Sequence, residues 1–129
     1  MRAIDTNVLV RFLVADDVQQ AKKARVAIEA GDIFLPATVL LETEWVLRAG
    51  YGLTPDKIAA ALRAVAGLPG VTIDGSASLA TALDWMDGGM DFADAMHLAR
   101  SEGCDVFLSF DRKLAKAAAG RTSMPVALP

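Results

Sequence analysis

The chain has 129 residues, enough for one domain with a buried core. Hydrophobic residues make up 53% and charged residues 22%, which excludes a disordered chain. With a net charge of −3 and a pI near 5.0, bulk charge cannot hold a nucleic acid, so such a partner would need a local basic patch or a bound cation.

The mean hydropathy of +0.35 is high. Yet no apolar run approaches the ~20 residues of a membrane span. An α/β core rich in Ala, Val and Leu accounts for it, as does apolar surface kept for a partner. The opening MRAIDTNVLV has an acid at position 5 and does not read as a signal peptide. Cys104 is the only cysteine, so no internal disulfide forms. A cytoplasmic protein with Cys104 packed in the core is expected.

In chain order, Ala3-Ile4 reads as a short buried strand ending at Asp5. Residues 8–14 are apolar and helical. Asp16 or Asp17 caps a helix that runs to about Ala30, with Gly31 as its stop signal. Residues 33–35 form a second strand before Pro36. Thr38 can cap a helix through Arg48, ended by Gly50 and Gly52. Thr54-Pro55-Asp56 starts another helix, with Pro at its first position. It ends near residues 67–70. Residues 71–73 form a third strand, and 76–86 a helix broken by Gly88-Gly89. A helix over 91–102 follows, then a strand over 106–108. Residues 113–119 form a short helix, and 126–128 an edge strand.

Short apolar strands alternating with helices indicate βαβ units and a parallel sheet. Sites in such sheets form at the carboxyl ends of strands. Asp5 and Asp111 each follow a short apolar strand, although either could be a plain helix cap. Glu42 has Val39, Trp45 and Val46 as helical neighbours and so reads as an acid interrupting an apolar face. A buried unpaired carboxylate is costly without a cation or donors. Glu44 can pair with Arg48 at i+4 and reads as solvated.

The stretch MDFADAMHLA puts Asp91 where an N-cap belongs and Asp94 at the third helical position. A capping box explains both, but Asp94 shares its apolar surroundings with Leu98. Asp94 is the stronger functional candidate, and Asp91 is open between a cap and a second acid. Acids converging from several elements suit a hard divalent cation, and Mg²⁺ takes carboxylate oxygens while keeping much of its water. No Cys/His cluster suggests zinc, His97 is alone, and no phosphate-binding GxxxxGK[ST] loop is present. Ser109 lacks a base partner and reads as a hydroxyl orienting Asp111. After Asp111 there is no acid, while Arg112, Lys113, Lys116 and Arg121 follow, either as a solvated face or as a basic tract beside the site.

Taken together, AIDTN, VLLETEWVL, DFADAMHLA and LSFDR resemble the PIN domain, and most closely the VapC toxins of type II toxin–antitoxin pairs. The resemblance covers nearly the whole chain. It implies a single domain over 1–129, an α/β fold, namely a three-layer α/β/α sandwich with a central, mostly parallel sheet. The family pattern of catalytic and metal-binding acids falls on Asp5, Glu42, Asp94 and Asp111. Thr6, Asn7 and Ser109 fall on polar supporting positions, with Asp91 a less uniform one. The implied activity is a Mg²⁺- or Mn²⁺-dependent endoribonuclease that cuts RNA such as tRNA or ribosomal RNA. Its partners would be a VapB-type antitoxin and a second copy in a homodimer. Arg112, Lys113 and Lys116 are the RNA-binding candidates.

Two other readings carry different expectations. A receiver domain wants an acceptor Asp at a mid-chain strand end, and an aspartyl-phosphate phosphatase wants Asp-x-Asp, where residue 7 is Asn. A non-catalytic PIN module would keep the fold without cutting RNA.

Overall fold

The computed structural model describes residues 1–129. Contacts divide the chain into two compact units, Met1–Ser76 and Ala77–Pro129. In the first, strands β1 (Arg2–Ala3), β2 (Ile33–Leu35) and β3 (Val71–Ile73) pair in parallel in the order β1-β2-β3. Arg2 lies opposite Ile33, and Ile33 opposite Val71. Only β2 has neighbours on both sides, and it buries Ile33 and Leu35 almost completely. β1 departs from expectation: it is exposed at both residues and lies one residue earlier than Ala3-Ile4. As an edge strand it is held by its ladder to β2 and by one side chain. The Arg2 guanidinium donates to Ala27 O (2.8 Å) and Gly31 O (2.9 Å), tying β1 to the carbonyls at the end of α2.

Gly31 and Gly70 open β2 and β3 with φ of +80° and +76°. Their backbones meet there. A Cβ on Gly70 would come within 2.8 Å of Gly31 Cα, so the close approach itself requires glycine.

Helices α1 (Thr6–Val14) and α2 (Val18–Glu29) link β1 to β2. Asp17 caps α2 by accepting from Gln20 N–H. Asp16 does different work. It pairs with Arg11 (2.9 Å) and accepts from the Tyr51 hydroxyl (2.8 Å), while Arg11 also donates to Gln20 Oε1. The Tyr51 hydrogen bond, with Arg11 alongside, holds the Asp16 carboxyl below its ordinary range.

Helix α3 (Ala37–Trp45) starts on Pro36, not on Thr38, and has no side-chain cap of its own. Asp74, just after β3, accepts from Ala37 N–H instead (3.2 Å). Past Trp45 the helix widens into a π-helical turn over Val46–Gly50, a rare form that concentrates at functional sites. Helix α4 (Pro55–Ala66) returns to β3 and buries Ile58, Ala59, Leu62 and Val65. Each fully buried Leu or Ile of this kind contributes about 1.5–3 kcal/mol.

Helix α5 (Ser76–Asp87) leads into the second unit, followed by α6 (Phe92–Ala99), β4 (Phe107–Leu108), α7 (Arg112–Ala118) and β5 (Val126–Ala127). β4 and β5 pair in parallel, with Leu108 opposite Ala127. The five strands thus pair as three and two. Leu79, Leu83 and Met86 of α5, Phe92, Met96 and Leu98 of α6 and Leu114 of α7 are buried. Parallel strands alternating with helices make this the α/β class expected.

Two side chains of this unit differ from expectation. Cys104 is exposed, not packed in the core. It follows Gly103, whose φ of +93° turns the chain away from α6. Arg121 is structural: its guanidinium donates to Ala117 O (2.6 Å) and Gly88 O (2.9 Å), satisfying carbonyls at the ends of α7 and α5. A Cβ on Gly88 would meet that guanidinium at 2.5 Å, so the small residue makes room for the arginine.

Candidate active site

Three of the candidate acids begin helices, and one physical device places them. Asp5, Asp91 and Asp111 are the N-caps of α1, α6 and α7. A capping carboxylate accepts from exposed N–H groups at the positive end of the helix, which fixes its direction. Asp5 Oδ1 accepts from Thr6 N–H at 2.8 Å. Asp91 Oδ2 accepts from Asp94 N–H at 3.1 Å. Asp111 Oδ1 accepts from Lys113 N–H (2.9 Å) and Leu114 N–H (3.2 Å). In each case the bonds to the helix engage one carboxylate oxygen.

In the second unit these placements converge. Asp91, Asp94 and Asp111 line one cavity of about 290 Å³, together with Gly89, Met90, Lys113, Leu114 and Ala117. Asp94 is half-buried there, and its pKa is raised. Burial is the main cause, and the neighbouring charges of Asp91 and then Asp111 add to it; His97 pulls weakly the other way. Ser109 is half-buried, and its Oγ accepts from Asp111 N–H at 2.9 Å. That bond fixes the backbone at Asp111 and leaves the carboxylate to the helix. His97 is exposed.

In the first unit Asp5 is exposed at the carboxyl end of β1. Thr6, the next residue, is 6% exposed, and its Oγ1 has no hydrogen-bond partner. Asn7 faces a groove of about 240 Å³ between α1 and α2, with Val8, Arg11, Gln20 and Lys23. On α3 the two glutamates exchange their expected environments. Glu42 is exposed, and Glu44 is 4% exposed with its carboxylate on Arg48 Nε at 2.8 Å. The buried face of α3 is Ala37, Leu40, Thr43 and Glu44, continued by Leu47. Trp45, three residues beyond Glu42, is 58% exposed. Sequence reasoning passed over Asp74. It ends β3 where a mid-chain acceptor would be sought, and the strand-end rule could have found it.

The cavity's donor set is all carboxylate, the chemistry of a hard divalent cation. Loaded mutual repulsion at Asp94 fits such a cation too, because positive charge would relieve it. No three Asp, Glu, His or Cys side chains stand as a ready cage. A divalent cation held by only one or two carboxylates would complete its shell with water or substrate oxygens. Asp94 and Asp111 are the residues of this unit that would hold it.

Among known proteins, the model of the PIN domain matches residues 3–120. No curated protein and no solved structure matches the chain. No helix is long and apolar enough to cross a membrane.

Proposed function

The chain belongs to the PIN-domain family, whose fold is nuclease-like, and we propose that it is a Mg²⁺- or Mn²⁺-dependent endoribonuclease of the VapC toxin type. The observation that carries the reading is the cavity lined by Asp91, Asp94 and Asp111, with Asp94 held toward its protonated form by burial and by the other two.

The side chains divide the work. Asp94 and Asp111 hold the cation, which when bound supplies positive charge against the scissile phosphate and Lewis acidity toward water. Asp94 gains most from it, because its ionised form is otherwise disfavoured. Asp111 is aimed by α7 and by Ser109. Asp91 orients the start of α6, which carries Asp94. Lys113 lines the same cavity and can neutralise a phosphate oxygen. Arg112 and Lys116 are exposed on α7 and extend the positive surface that a net charge of −3 otherwise denies to RNA. The family pattern adds Asp5 and Glu42 to the acid set.

The same reading includes the partners. A VapB-type antitoxin silences the enzyme, with an arginine pairing to the carboxylates, and the protein is a homodimer. Incubating the purified chain with structured RNA should give discrete cuts in Mg²⁺ or Mn²⁺ and none in EDTA. Equal cutting in EDTA would sink the metal-nuclease reading. Intact RNA with metal supplied and antitoxin removed would favour a non-catalytic module. Light scattering that reports a monomer at every micromolar concentration would remove the dimer.

A further inference from the structure

Phe110 is the most exposed large apolar side chain of the protein, at 81%. The ordinary use of an apolar residue just before an N-cap is a staple against the fourth residue of the helix. Here that residue is Ala115, and Phe110 at this exposure does not cover it. Its position is nevertheless rigidly fixed. Ser109 N–H donates to Ala127 O (3.0 Å), which anchors the end of β4 to β5. Asp111 N–H donates to Ser109 Oγ (2.9 Å), and Asp111 itself caps α7. The backbone is pinned on both sides of a ring that touches little.

A bare aromatic on a fixed backbone forgoes favourable burial unless something covers it. What covers it is argued by its neighbours. The next residue, Asp111, lines the acidic cavity, and Lys113 lines it too. Arg112 and Lys116 follow on the exposed side of α7, with no acid between Asp111 and the end of the chain. An aromatic face followed by a cationic stretch suits a nucleotide, whose base stacks while its phosphate meets the cations. A protein partner seeking an apolar patch would have to bury these cations as well.

We propose that Phe110 is a nucleobase-stacking residue that takes one unpaired base of a single-stranded RNA segment beside the acidic cavity. The proposal rests on the nuclease reading for the identity of the ligand. Consecutive Cα atoms are about 3.8 Å apart, so the stacked base belongs to a nucleotide adjoining the acidic cavity that Asp111 lines. Bases in a duplex are already stacked on each other, and aromatic platforms act on loops, bulges and ends. The enzyme therefore selects unpaired positions within a structured RNA.

The test is binding in EDTA, read by fluorescence anisotropy, with cutting in Mg²⁺ followed separately. The probes are labelled oligoadenylate and the same ribose-phosphate chain without bases. Wild type should prefer oligoadenylate. Phe110→Ala should lose roughly 5- to 150-fold toward oligoadenylate and nothing toward the abasic chain. Phe110→Trp should keep the preference, and Phe110→Leu, apolar but not aromatic, should lose it. Val26→Ala, on α2 and 69% exposed, should bind as wild type. The proposal is overturned if Phe110→Ala binds oligoadenylate as wild type does, if it weakens both probes equally, or if wild type binds neither. It is also overturned if the substitution changes the oligomeric state and leaves RNA binding intact. Base-dependent loss in Phe110→Ala with no cutting by wild type would retain the stacking site and discard the nuclease.

Discussion

The acids at the starts of α6 and α7 and the acids inside α3 are placed by different physics. Asp91 and Asp111 sit on helix N-termini and are held by N–H groups at 2.9–3.2 Å. Their direction is local, set by residues two or three positions away. Glu42 and Glu44 lie mid-helix, and which of them is buried depends on the rotation of the whole helix. That rotation brings Glu44 inside against Arg48 and leaves Glu42 exposed. A capping acid can thus be located from its own neighbours, whereas a mid-helix acid cannot.

The largest expected effect lies at the starts of α6 and α7, where Asp94 and Asp111 line the cavity. Removing one preorganised group from an electrostatic site costs on the order of 10²–10³ in rate. Asp94→Asn and Asp111→Asn should each lose that much RNA cleavage in single-turnover assays while remaining folded by circular dichroism. Near-normal rates in both would detach the cavity from the chemistry.

The next effect is on α3. Arg48→Leu removes the ion-pair partner of the buried Glu44 carboxylate. Leaving a buried group unsatisfied costs about 1–3 kcal/mol, and the melting temperature should fall accordingly. Glu42→Gln, at an exposed position, should stay within about 0.5 kcal/mol of wild type. If the two variants melt alike, the rotation of α3 is wrong.

A smaller effect separates cap from charge. Asp111→Ala should lose about 1 kcal/mol of stability relative to Asp111→Asn, because Asn still caps. Equal chemical denaturation midpoints would mean that the cap is idle.

The smallest concerns Asp94. Its raised pKa means the folded state favours the protonated carboxyl. That contribution is present below the ordinary carboxylate range and is lost as pH rises through the raised value. In EDTA, Asp94→Asn should therefore flatten the fall in melting temperature above the ordinary carboxylate range. It should lift the midpoint near neutral pH by less than about 4 °C, the shift of a full 1 kcal/mol in a chain of this size. A lower midpoint for the variant at neutral pH would reverse the sign.

The same contrast explains what was legible in the sequence. Helix starts were readable where a side chain or proline marks them: Asp17 for α2, Pro55 for α4, Asp91 for α6. Gly31 marked the stop of α2 with its positive φ, whereas α6 ends at Ala99, short of the expected residue 102. The pairing of Ser109 with Asp111 was readable from two residues. The environments of Glu42 and Glu44 were not. Val39, Leu40, Leu41, Trp45, Val46 and Leu47 surround that helix with apolar residues, so the pattern gave no phase. The start of α3 was missed because its first N–H is met by Asp74, distant in sequence. Arg121 looked like part of a basic tract because its acceptors, Gly88 O and Ala117 O, are backbone groups that leave no mark on composition.

The most direct measurement is Mn²⁺ titration of the purified protein by electron paramagnetic resonance, comparing wild type with Asp94→Asn and Asp111→Asn. If the carboxylate cavity holds the divalent cation, wild type should sequester Mn²⁺, and each substitution should weaken binding by about 10-fold or more, the range for disturbing a metal site. Undiminished Mn²⁺ binding by both folded variants would contradict the account.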